Sequence, residues 1–419
     1  MSHEVRLSLN GRHSRRQFLS ASLAGLGAMS VAGPLRANVP DSLSQPRKKL
    51  IGWGSDVAYP SKVQNNIRKI EELPLDGIVL SHFGGEKDGK EFMFEWQCFG
   101  RQKYERQHLA STIQILTHID FQRFTDNFLR FNLQPGDVDW FDDFSSPLHN
   151  AQMWSEVARE AGVKGWKFDL EDYQEKLFTY SKQKYADQKS FDEYATQIRL
   201  RGRQMMEAIQ SGFPNIVLLL SLAHSYVNRT PHANRKLAEL SSYGLLPAFV
   251  DGLIEAAGPQ VRIIDGQEQA YGYLTPEDYF RGYHDVRQRA LELVPSELWE
   301  KYRDKIEAGV AIYANFQLAV RRITTKYWVP HYMKPEERLR LFEQNVYYAL
   351  KTTDEYAWLY SEHMGWWESG YPVPTPEGAV AAIRAARDRI HAAEPLGFDL
   401  TDVVEQARSK MKLATQSKG

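Results

Sequence analysis

Cysteine is nearly absent from this chain of 419 residues, which contains only Cys98. A single cysteine excludes an intrachain disulfide, and we expect Cys98 to be a buried thiol. An excess of charge of one sign is also missing, since 52 Lys and Arg oppose 53 Asp and Glu for a net charge of −1. The sequence therefore offers no electrostatic basis for binding nucleic acid or an anionic membrane, and a neutral or small polar partner is expected.

Several motifs that mark particular enzyme classes are absent as well. Neither a Gly-x-Ser-x-Gly motif nor an evident Cys/His pairing occurs, which argues against a serine or thiol nucleophile. His-x-His and His-Glu-x-x-His spacings are missing too, and they are the commonest signatures of a metal site. No Gly-rich phosphate fingerprint follows the first predicted strand, where Gly52 and Gly54 stand alone.

The N-terminus carries the strongest motif that is present. The sequence S-R-R-Q-F-L at 14–19 matches the twin-arginine export signal, and it precedes a weakly apolar run at 21–32 that is too short to span a bilayer stably. The following L-R-A at 35–37 ends in a small residue, as a cleavage site does. We expect residues 1–37 to be an export signal read by the twin-arginine translocase. The mature chain, beginning near Asn38, would then reside in a bacterial periplasm or outside the cell.

The rest of the chain alternates short apolar segments with helical patterns, and polar residues follow each apolar segment. With 42% hydrophobic and 25% charged residues, the composition is that of a globular protein with a large core. Eight strands separated by helices predict a (β/α)8 TIM barrel. The predicted strands are 50–55, 75–81, 137–141, 165–168, 216–222, 250–254, 309–314 and 356–360, and the predicted helices include 61–73, 121–131, 190–210 and 335–350.

One domain accounts for the whole pattern. A polar linker at 38–49 leads into a barrel at 50–393, and a C-terminal tail occupies 394–419. The segment 84–104, which is rich in glycine and aromatic residues, is predicted to be an insertion over the barrel mouth after the second strand. A long loop is predicted after the sixth strand. A doubly wound open sheet is the alternative architecture.

In a parallel barrel, the residues that follow the strands converge on one rim. Carboxylates dominate the predicted rim, and crowding raises the pKa of one member of a carboxyl pair. One protonated and one ionised carboxyl group are what cleavage of a glycosidic bond needs. The rim residues are Asp56, His82, Asp142, Asp143, Asp169, Glu171, Asp172, His224, Glu255, Asn315 and Glu362.

The fourth predicted strand ends in the sequence G-W-K-F-D-L-E at 165–171. This stretch resembles the fourth-strand motif of chitinase-type glycoside hydrolases, in which a D-x-E supplies the proton donor. The resemblance implies a TIM-barrel glycoside hydrolase in which Glu171 is the acid and Asp169 orients it. Lys164 and Lys167 stand where that family prefers further acids, which argues against assistance by a substrate N-acetyl group. The alternative for Glu171 is an ion pair with Lys164 or Lys167.

Two residues compete to supply the second carboxylate. Glu362 lies near Trp366 and Trp367, which offer a stacking platform for a sugar ring, although a carboxylate there also suits the binding of a hydroxyl group. Glu255 is followed by two small residues that leave room for a ligand. The predicted catalytic residues are therefore Asp169, Glu171, Glu255 and Glu362.

A further set of residues, from the rim and from the segments beside it, is predicted to bind substrate, and two alternatives to a glycoside hydrolase stay open. His82 and His224, with Asp169 or Glu255, would suit a divalent metal in a hydrolase or isomerase; otherwise no cofactor is expected. A barrel that only binds glycans is the other alternative. The predicted substrate-binding residues are Trp53, His82, Trp140, Asp142, His224, Asp265, Glu268, Tyr271, Asn315, Trp366 and Trp367.

Overall fold

The structure is a computed structural model that describes residues 48–227, 235–320 and 325–416. The predicted export signal at 1–37 and nearly all of the predicted linker at 38–49 lie outside the described residues. No helix in the described part of the chain combines the length and the apolar character needed to cross a membrane.

The strands of the described chain form one large parallel sheet and two small two-stranded sheets. Their bounds are β1 Lys49–Gly54, β2 Gly77–Leu80, β3 Gly84–Lys87, β4 Lys90–Met93, β5 Phe128–Asn132, β6 Gly165–Asp169, β7 Val217–Leu220, β8 Arg262–Asp265, β9 Ile306–Ala308, β10 Val310–Tyr313, β11 Tyr356–Ser361, β12 Met364–Gly365 and β13 Val373–Pro374.

The large sheet closes into a barrel. Its strand order is β10-β11-β1-β2-β5-β6-β7-β8-β9, and each neighbouring pair is parallel. Only Gly309 separates β9, which pairs with β8, from β10, which pairs with β11. The two short strands thus share the seventh position of a ring of eight. The prediction of a (β/α)8 barrel is confirmed.

Helices follow the barrel strands and bury them from outside, as parallel sheets require. The longest, α4, packs against α3 and α7. The helices are α1 Pro60–Ile70, α2 Ala110–Thr117, α3 Ser145–Glu160, α4 Phe191–Gly212, α5 His224–Val227, α6 Arg235–Leu240, α7 Leu246–Ala256, α8 Pro276–Arg287, α9 Trp299–Lys305, α10 Ala314–Gln317, α11 Pro335–Thr352, α12 Ala379–His391 and α13 Thr401–Gln416.

An insertion follows β2, as the sequence predicts. It contains the antiparallel hairpin of β3 and β4, whose tight turn places Asp88 and Gly89 at φ angles of 52° and 71°. Phe92 on this hairpin packs against Tyr104, with ring centroids 4.4 Å apart. Phe94, which follows β4, packs against Trp154 of α3 with ring centroids 4.8 Å apart, and this contact ties the insertion to the helical layer of the barrel.

The third strand was predicted in the wrong place. The structure has β5 at Phe128–Asn132, within the predicted helix 121–131, whereas the predicted strand 137–141 forms turns. Phe121, Phe124, Phe128 and Phe131 are spaced three and four residues apart, which imitates the apolar face of a helix. The last two belong to a strand that is buried throughout, and burial on both sides removes the period of two that identifies a half-exposed strand.

The sixth strand was also predicted in the wrong place. Residues 250–254 lie in helix α7, and the strand is β8, Arg262–Asp265. Seven of the 11 residues of α7 are buried, among them all of 250–254, so this short segment has no exposed face from which periodicity could separate helix from strand. The consequence for the site is direct, because Asp265 ends the true strand and Glu268 follows it, whereas Glu255 lies in α7.

Strand β6 places its side chains on two opposite surfaces. Gly165 begins it where a Cβ atom would lie 2.0 Å from the carbonyl oxygen of Val217 on β7, so only glycine fits. Trp166 stacks on Phe131 of β5, with centroids 4.4 Å apart and ring planes 5° apart. The alternate residues Lys167 and Asp169 have no exposed surface, and their contacts lie with residues of the barrel interior.

Candidate active site

A cavity of about 470 Å³ opens at the carboxyl ends of the barrel strands, where parallel barrels hold their active sites. Six predicted site residues line it: Trp53, His82, Glu171, Glu268, Tyr271 and Glu362. The other lining residues are Gly54, Ser55, Tyr59, Ser81, Trp96, Arg130, Tyr173, Tyr313, Tyr360, Ser361, His363 and Tyr371.

Three carboxylates meet at this cavity. Asp169 ends β6, Glu171 follows two residues later, and Glu268 lies in a short 3₁₀ helix after β8. One oxygen from each of the three lies within 4.8 Å of the others. Residues nearly one hundred positions apart are thus brought together because β6 and β8 flank β7 in the barrel.

Asp169 is held as an ionised carboxylate. Its Oδ2 accepts hydrogen bonds from Arg130 Nη2 at 2.6 Å and Tyr173 Oη at 2.9 Å, and its Oδ1 accepts one from Ser221 Oγ at 3.2 Å. Burial opposes ionisation, but the charges of Arg130 and Lys167 outweigh it and keep the pKa of Asp169 below its ordinary value. A carboxylate with this many donors positions its neighbours rather than exchanging protons.

Glu171 and Glu268 are shifted in the opposite direction. Burial and the negative charge of Asp169 raise the pKa of Glu171. The same two causes raise the pKa of Glu268 to about 8. Glu268 therefore holds a proton near neutral pH.

Arg130 is a site residue that the sequence analysis missed. It lies in β5, inside the segment that was predicted to be a helix. Its guanidinium carbon lies 5.4 Å from the ring centroid of Trp53, 5.0 Å from that of Trp96 and 5.8 Å from that of Tyr173. Had β5 been predicted correctly, Arg130 would have been placed on the strand next to β6, within reach of Asp169.

Lys167 lies beneath the cavity and differs from its predicted role. Its ammonium has no hydrogen-bond partner among the described residues, and Trp53 and Trp358 flank it. Burial lowers the pKa of Lys167 to about 8, and Asp169 and Glu268 act against that shift. The sequence analysis considered an ion pair with Glu171, whereas the structure places the charge between two indole rings.

Aromatic rings form one wall of the cavity. Tyr271 stacks on Tyr360 with centroids 5.9 Å apart and planes 17° apart, and Tyr313 stacks on Tyr360 at 5.6 Å. Trp53 contacts Tyr360 at 4.9 Å. All four rings line the cavity, and aromatic rings that line a pocket suit the apolar faces of sugars. Trp53 and Tyr271 were predicted for this purpose, while Tyr313 and Tyr360 were missed as strand residues.

Glu255 lies in the helical layer, so the prediction that it ends a barrel strand is wrong. It sits near the end of α7, where its carboxylate accepts a hydrogen bond from Arg199 Nε at 2.9 Å and lies 3.7 Å from Arg203 Nη1. This arrangement is an ion pair between α7 and α4. Glu268 takes the place at the mouth that was predicted for Glu255.

Trp140 and Asp142 also lie away from the cavity, because they follow no barrel strand. Trp140 is fully buried and donates a hydrogen bond from Nε1 to the carbonyl of Leu177 at 2.8 Å. Asp142 accepts hydrogen bonds from Arg101 at 2.9 Å and Lys184 at 3.0 Å. Trp140 packs in the core and Asp142 belongs to a surface ion pair, which corrects their prediction as substrate-binding residues.

His224 and Asp265 are buried behind the mouth. His224 has no exposed surface, and its Nε2 lies 2.9 Å from Asp251 Oδ1 on α7. Asp265 accepts hydrogen bonds from Ser225 Oγ at 2.9 Å and from the backbone N–H of Gln267 at 3.3 Å. Asp265 therefore fixes the turn that leads to Glu268, and its predicted contact with substrate is replaced by this supporting contact.

Asn315, Trp366 and Trp367 support the segment that carries Glu362. Asn315 Oδ1 accepts from the N–H of Glu362 at 2.7 Å, and Asn315 Nδ2 donates to its carbonyl at 3.0 Å. Trp366 donates to Ser361 Oγ at 2.9 Å, and Trp367 donates from Nε1 to the carbonyl of Asp56 at 3.0 Å. These three predicted substrate contacts are therefore structural contacts around Glu362, which itself lines the cavity.

The predicted pairing of His82 with His224 as metal ligands does not match the structure. His82 lines the mouth, while His224 is occupied with Asp251 inside the protein. Within the described residues, the group whose spacing suits a metal is Asp169, Glu171 and Glu268. Oxygen ligands of this kind suit a hard divalent cation, although Arg130 and Lys167 already supply positive charge there.

No protein-family model and no curated protein matches this chain. Solved structures share its barrel at low identity. GH5_18 from Streptomyces cattleya is 11% identical over 84% of this chain and 82% of its own, with a TM-score of 0.45. The catalytic domain of a chitinase from Pyrococcus furiosus is 11% identical over 85% and 98%, with a TM-score of 0.42.

A dihydropteroate synthase from Xanthomonas albilineans has 13% identity over 84% of this chain and 94% of its own, with a TM-score of 0.35. Similarity this remote reaches proteins of unrelated chemistry. The comparisons therefore concern the barrel alone, and any argument about activity has to come from the site.

Proposed function

We propose that this protein is a glycoside hydrolase that uses Glu171 and Glu268 as its carboxylate pair. The observation that carries the proposal is the approach of these two side chains within 4.8 Å, both with raised pKa, at an aromatic-lined cavity on the barrel mouth. One protonated and one ionised carboxyl group at this separation is the arrangement that glycosidic cleavage requires.

In the proposed reaction, Glu268 is the general acid. It donates its proton to the glycosidic oxygen as the bond from that oxygen to the anomeric carbon breaks, and the leaving sugar departs as a neutral alcohol. Glu171 attacks the anomeric carbon and forms an ester. Glu268, now ionised, takes a proton from water, and that water hydrolyses the ester and regenerates Glu171. A separation of about 5 Å between carboxyl groups is typical of retaining enzymes.

This assignment reverses the roles that the chitinase-type resemblance implies. There the acid would be Glu171, because it ends the D-x-E motif. Burial and the charge of Asp169 raise the pKa of Glu268 to about 8, so Glu268 carries a proton to donate at neutral pH. Asp169 keeps its orienting role, with Arg130 as its partner.

The experiment is a screen for released reducing ends on a panel of polysaccharides and disaccharides, followed by substitution. Glu171→Gln and Glu268→Gln should each lower kcat at least 1000-fold while sugar binding persists. Glu255→Gln is the matched control, since it removes the same charge from α7, and it should leave activity within twofold. Full activity in Glu171→Gln would refute the proposal. Sugar binding without turnover in the wild type would favour a barrel that only binds glycans.

A second candidate follows from the three oxygens of Asp169, Glu171 and Glu268. The same group would hold a divalent cation in a metal-dependent hydrolase or isomerase. Incubation with EDTA and metal analysis of the purified protein separate the two candidates. The carboxylate-pair proposal expects activity to survive chelation. Loss of activity that Mg²⁺, Mn²⁺ or Zn²⁺ restores would favour the metal enzyme.

We further propose that the twin-arginine motif at 14–19 exports the folded protein to the periplasm or the exterior. Replacement of both Arg15 and Arg16 by Lys should retain the protein in the cytoplasm with residues 1–37 uncleaved. Cell fractionation and the mass of the mature chain measure both effects. Continued export of the double variant would contradict the assignment.

A further inference from the structure

On one side of the cavity, each of three neighbouring strands is followed by a residue other than glycine whose backbone is left-handed. Ser55 follows β1 with a φ of 53°, His82 follows β2 with a φ of 64°, and His363 follows β11 with a φ of 54°. All three line the cavity. This conformation is unfavourable for residues other than glycine, and it persists at binding sites because the surrounding structure enforces it.

A buried carboxylate holds His82 in this conformation. Glu95 has no exposed surface, and its two oxygens accept hydrogen bonds from the backbone N–H groups of His82 at 2.6 Å and Phe83 at 3.0 Å. One face of the imidazole stacks on Tyr59, with centroids 4.0 Å apart and planes 26° apart. His82 is nevertheless an exposed residue that lines the cavity, so its imidazole is accessible to a ligand there.

The position of His82 relative to the carboxylates follows from the strand order. In the ring of eight, β2 and β8 are four positions apart, so His82 and Glu268 lie on opposite sides of the mouth. Trp53 of β1 lines the cavity between them. A ligand that contacts both Glu268 and His82 has to extend across the mouth.

We propose that His82, stacked on Tyr59, forms a second ring-binding subsite that takes the leaving-group sugar of the substrate. The proposal rests on the glycoside hydrolase function and names its substrate class, which is an oligosaccharide of at least two units. One ring lies at Glu171 and Glu268, and the next packs its apolar face on the imidazole of His82.

The surroundings of His82 favour a neutral imidazole, which suits an uncharged ligand such as a sugar. Burial is the main cause that lowers the pKa of His82, Arg130 lowers it further, and Glu95 raises it. A neutral imidazole has one nitrogen that donates and one that accepts. Ser81 Oγ lies 3.2 Å from Nδ1, which leaves Nε2 for a sugar hydroxyl. Lys62 Nζ, 5.7 Å from the Tyr59 centroid and 5.3 Å from that of Tyr371, extends the polar edge.

The test uses His82→Gly, which removes the ring and relieves the left-handed strain, so the variant should fold at least as well as the wild type. Asp88→Gly is the matched control. It relieves a similar strain at a φ of 52° in the exposed β3–β4 turn. Cellobiose, mannobiose, chitobiose and maltose are assayed beside the corresponding glycosyl fluorides, which lack a leaving-group ring.

For each sugar, we compare kcat/KM for the disaccharide with kcat/KM for the glycosyl fluoride. In His82→Gly the ratio of the first to the second should fall at least tenfold. The ratio should be unchanged in Asp88→Gly. An equal effect on both substrates would overturn the subsite while leaving the glycoside hydrolase intact. If the wild type hydrolyses neither substrate, the proposed function fails. Calorimetric titration with each disaccharide and its monosaccharide then tests the subsite alone, since His82→Gly should weaken only disaccharide binding.

Discussion

The ammonium group of Lys167 lies 4.2 Å from the ring centroid of Trp358. The ring of Trp53 lies on another side at 4.8 Å, and Lys167 has no exposed surface. Indole faces attract a cation but do not satisfy its donors, so the charge depends on the carboxylates nearby. Asp169, Glu268 and Glu171 favour its protonated form, and Arg130 opposes it. With a pKa of about 8, Lys167 thus places a positive charge under the proposed catalytic pair at neutral pH.

Replacement of Lys167 by Met should shift the pH profile of kcat/KM to higher pH by about one unit. Both the acidic limb, which reports Glu171, and the alkaline limb, which reports Glu268, should move. The reason is that Glu171 and Glu268 lose a cation that favours their ionised forms. Lys164→Met is the control, because Lys164 is exposed at the other end of the same strand. A lower rate with unmoved limbs would restrict Lys167 to a packing role.

Replacement of Arg130 by Met should reduce the free energy of unfolding by about 3 kcal/mol, because it leaves the buried carboxylate of Asp169 without its partner. Adding Asp169→Asn to the variant should recover part of that loss. Urea denaturation of the two single variants and the double variant measures the coupling. For comparison, Arg408→Met removes an ion pair with Glu405 on the surface of α13 and should change stability by less than about 0.5 kcal/mol. Additive effects of the Arg130 and Asp169 substitutions would contradict the ion pair.

Replacement of Glu268 by Gln should change how stability depends on pH. Because the folded-state pKa of Glu268 is raised to about 8, the folded protein binds a proton that the unfolded chain releases above its lower pKa. The stability contributed by this group is therefore complete at acidic pH and is lost as pH rises towards 8. Between pH 4.5 and pH 8, we expect the wild type to lose about 4 kcal/mol more stability than the variant. Parallel stability curves from urea denaturation would show that Glu268 is ionised in the folded protein.

Replacement of Asp265 by Asn should lower kcat about tenfold with little change in KM. Asp265 accepts hydrogen bonds from Ser225 and from the backbone of Gln267, which has a left-handed φ of 48° immediately before Glu268. An amide can accept only part of that set, so the general acid would be less well positioned. Thermal melting of the same samples separates this effect from a loss of folded protein. An unchanged kcat would mean that the turn holds Glu268 without Asp265.

Most of the barrel could be predicted from the sequence, because its strands are short apolar runs between amphipathic helices. The two misplaced strands show where that reasoning stops. In β5, phenylalanines three and four residues apart resemble a helix face, and in α7 the short buried segment 250–254 resembles a strand. Strand β5 and residues 250–254 of α7 are buried throughout, so neither segment shows the exposed face from which periodicity separates helix from strand.

The candidate site was predicted unevenly for the same reason. Asp169 and Glu171 follow a correctly placed strand, and the structure brings both to the mouth. Glu268 was predicted only as a loop residue that shapes the substrate site, because its strand had been assigned to 250–254. Arg130 was missed because an arginine inside an expected helix gives no sign that it faces a carboxylate. Contacts of this kind depend on which strands are neighbours, which the spacing of residues along the chain does not encode.

Gly309 interrupts the seventh position of the barrel, and its backbone contacts show what that interruption does. Its N–H donates to the carbonyl of Asp265 at 2.8 Å, and its carbonyl accepts from Gln267 Nε2 at 2.6 Å. The strands on either side of Gly309 are short, with three residues in β9 and four in β10. Among the described barrel strands, β9 pairs only with β8 and β10 only with β11. We therefore expect local unfolding of the barrel to begin between β9 and β10, beside the turn that carries Glu268. Among the backbone amides of the barrel strands, those of β9 and β10 should exchange fastest with solvent hydrogen. The part of the barrel nearest the proposed proton donor would then also be its least stable part.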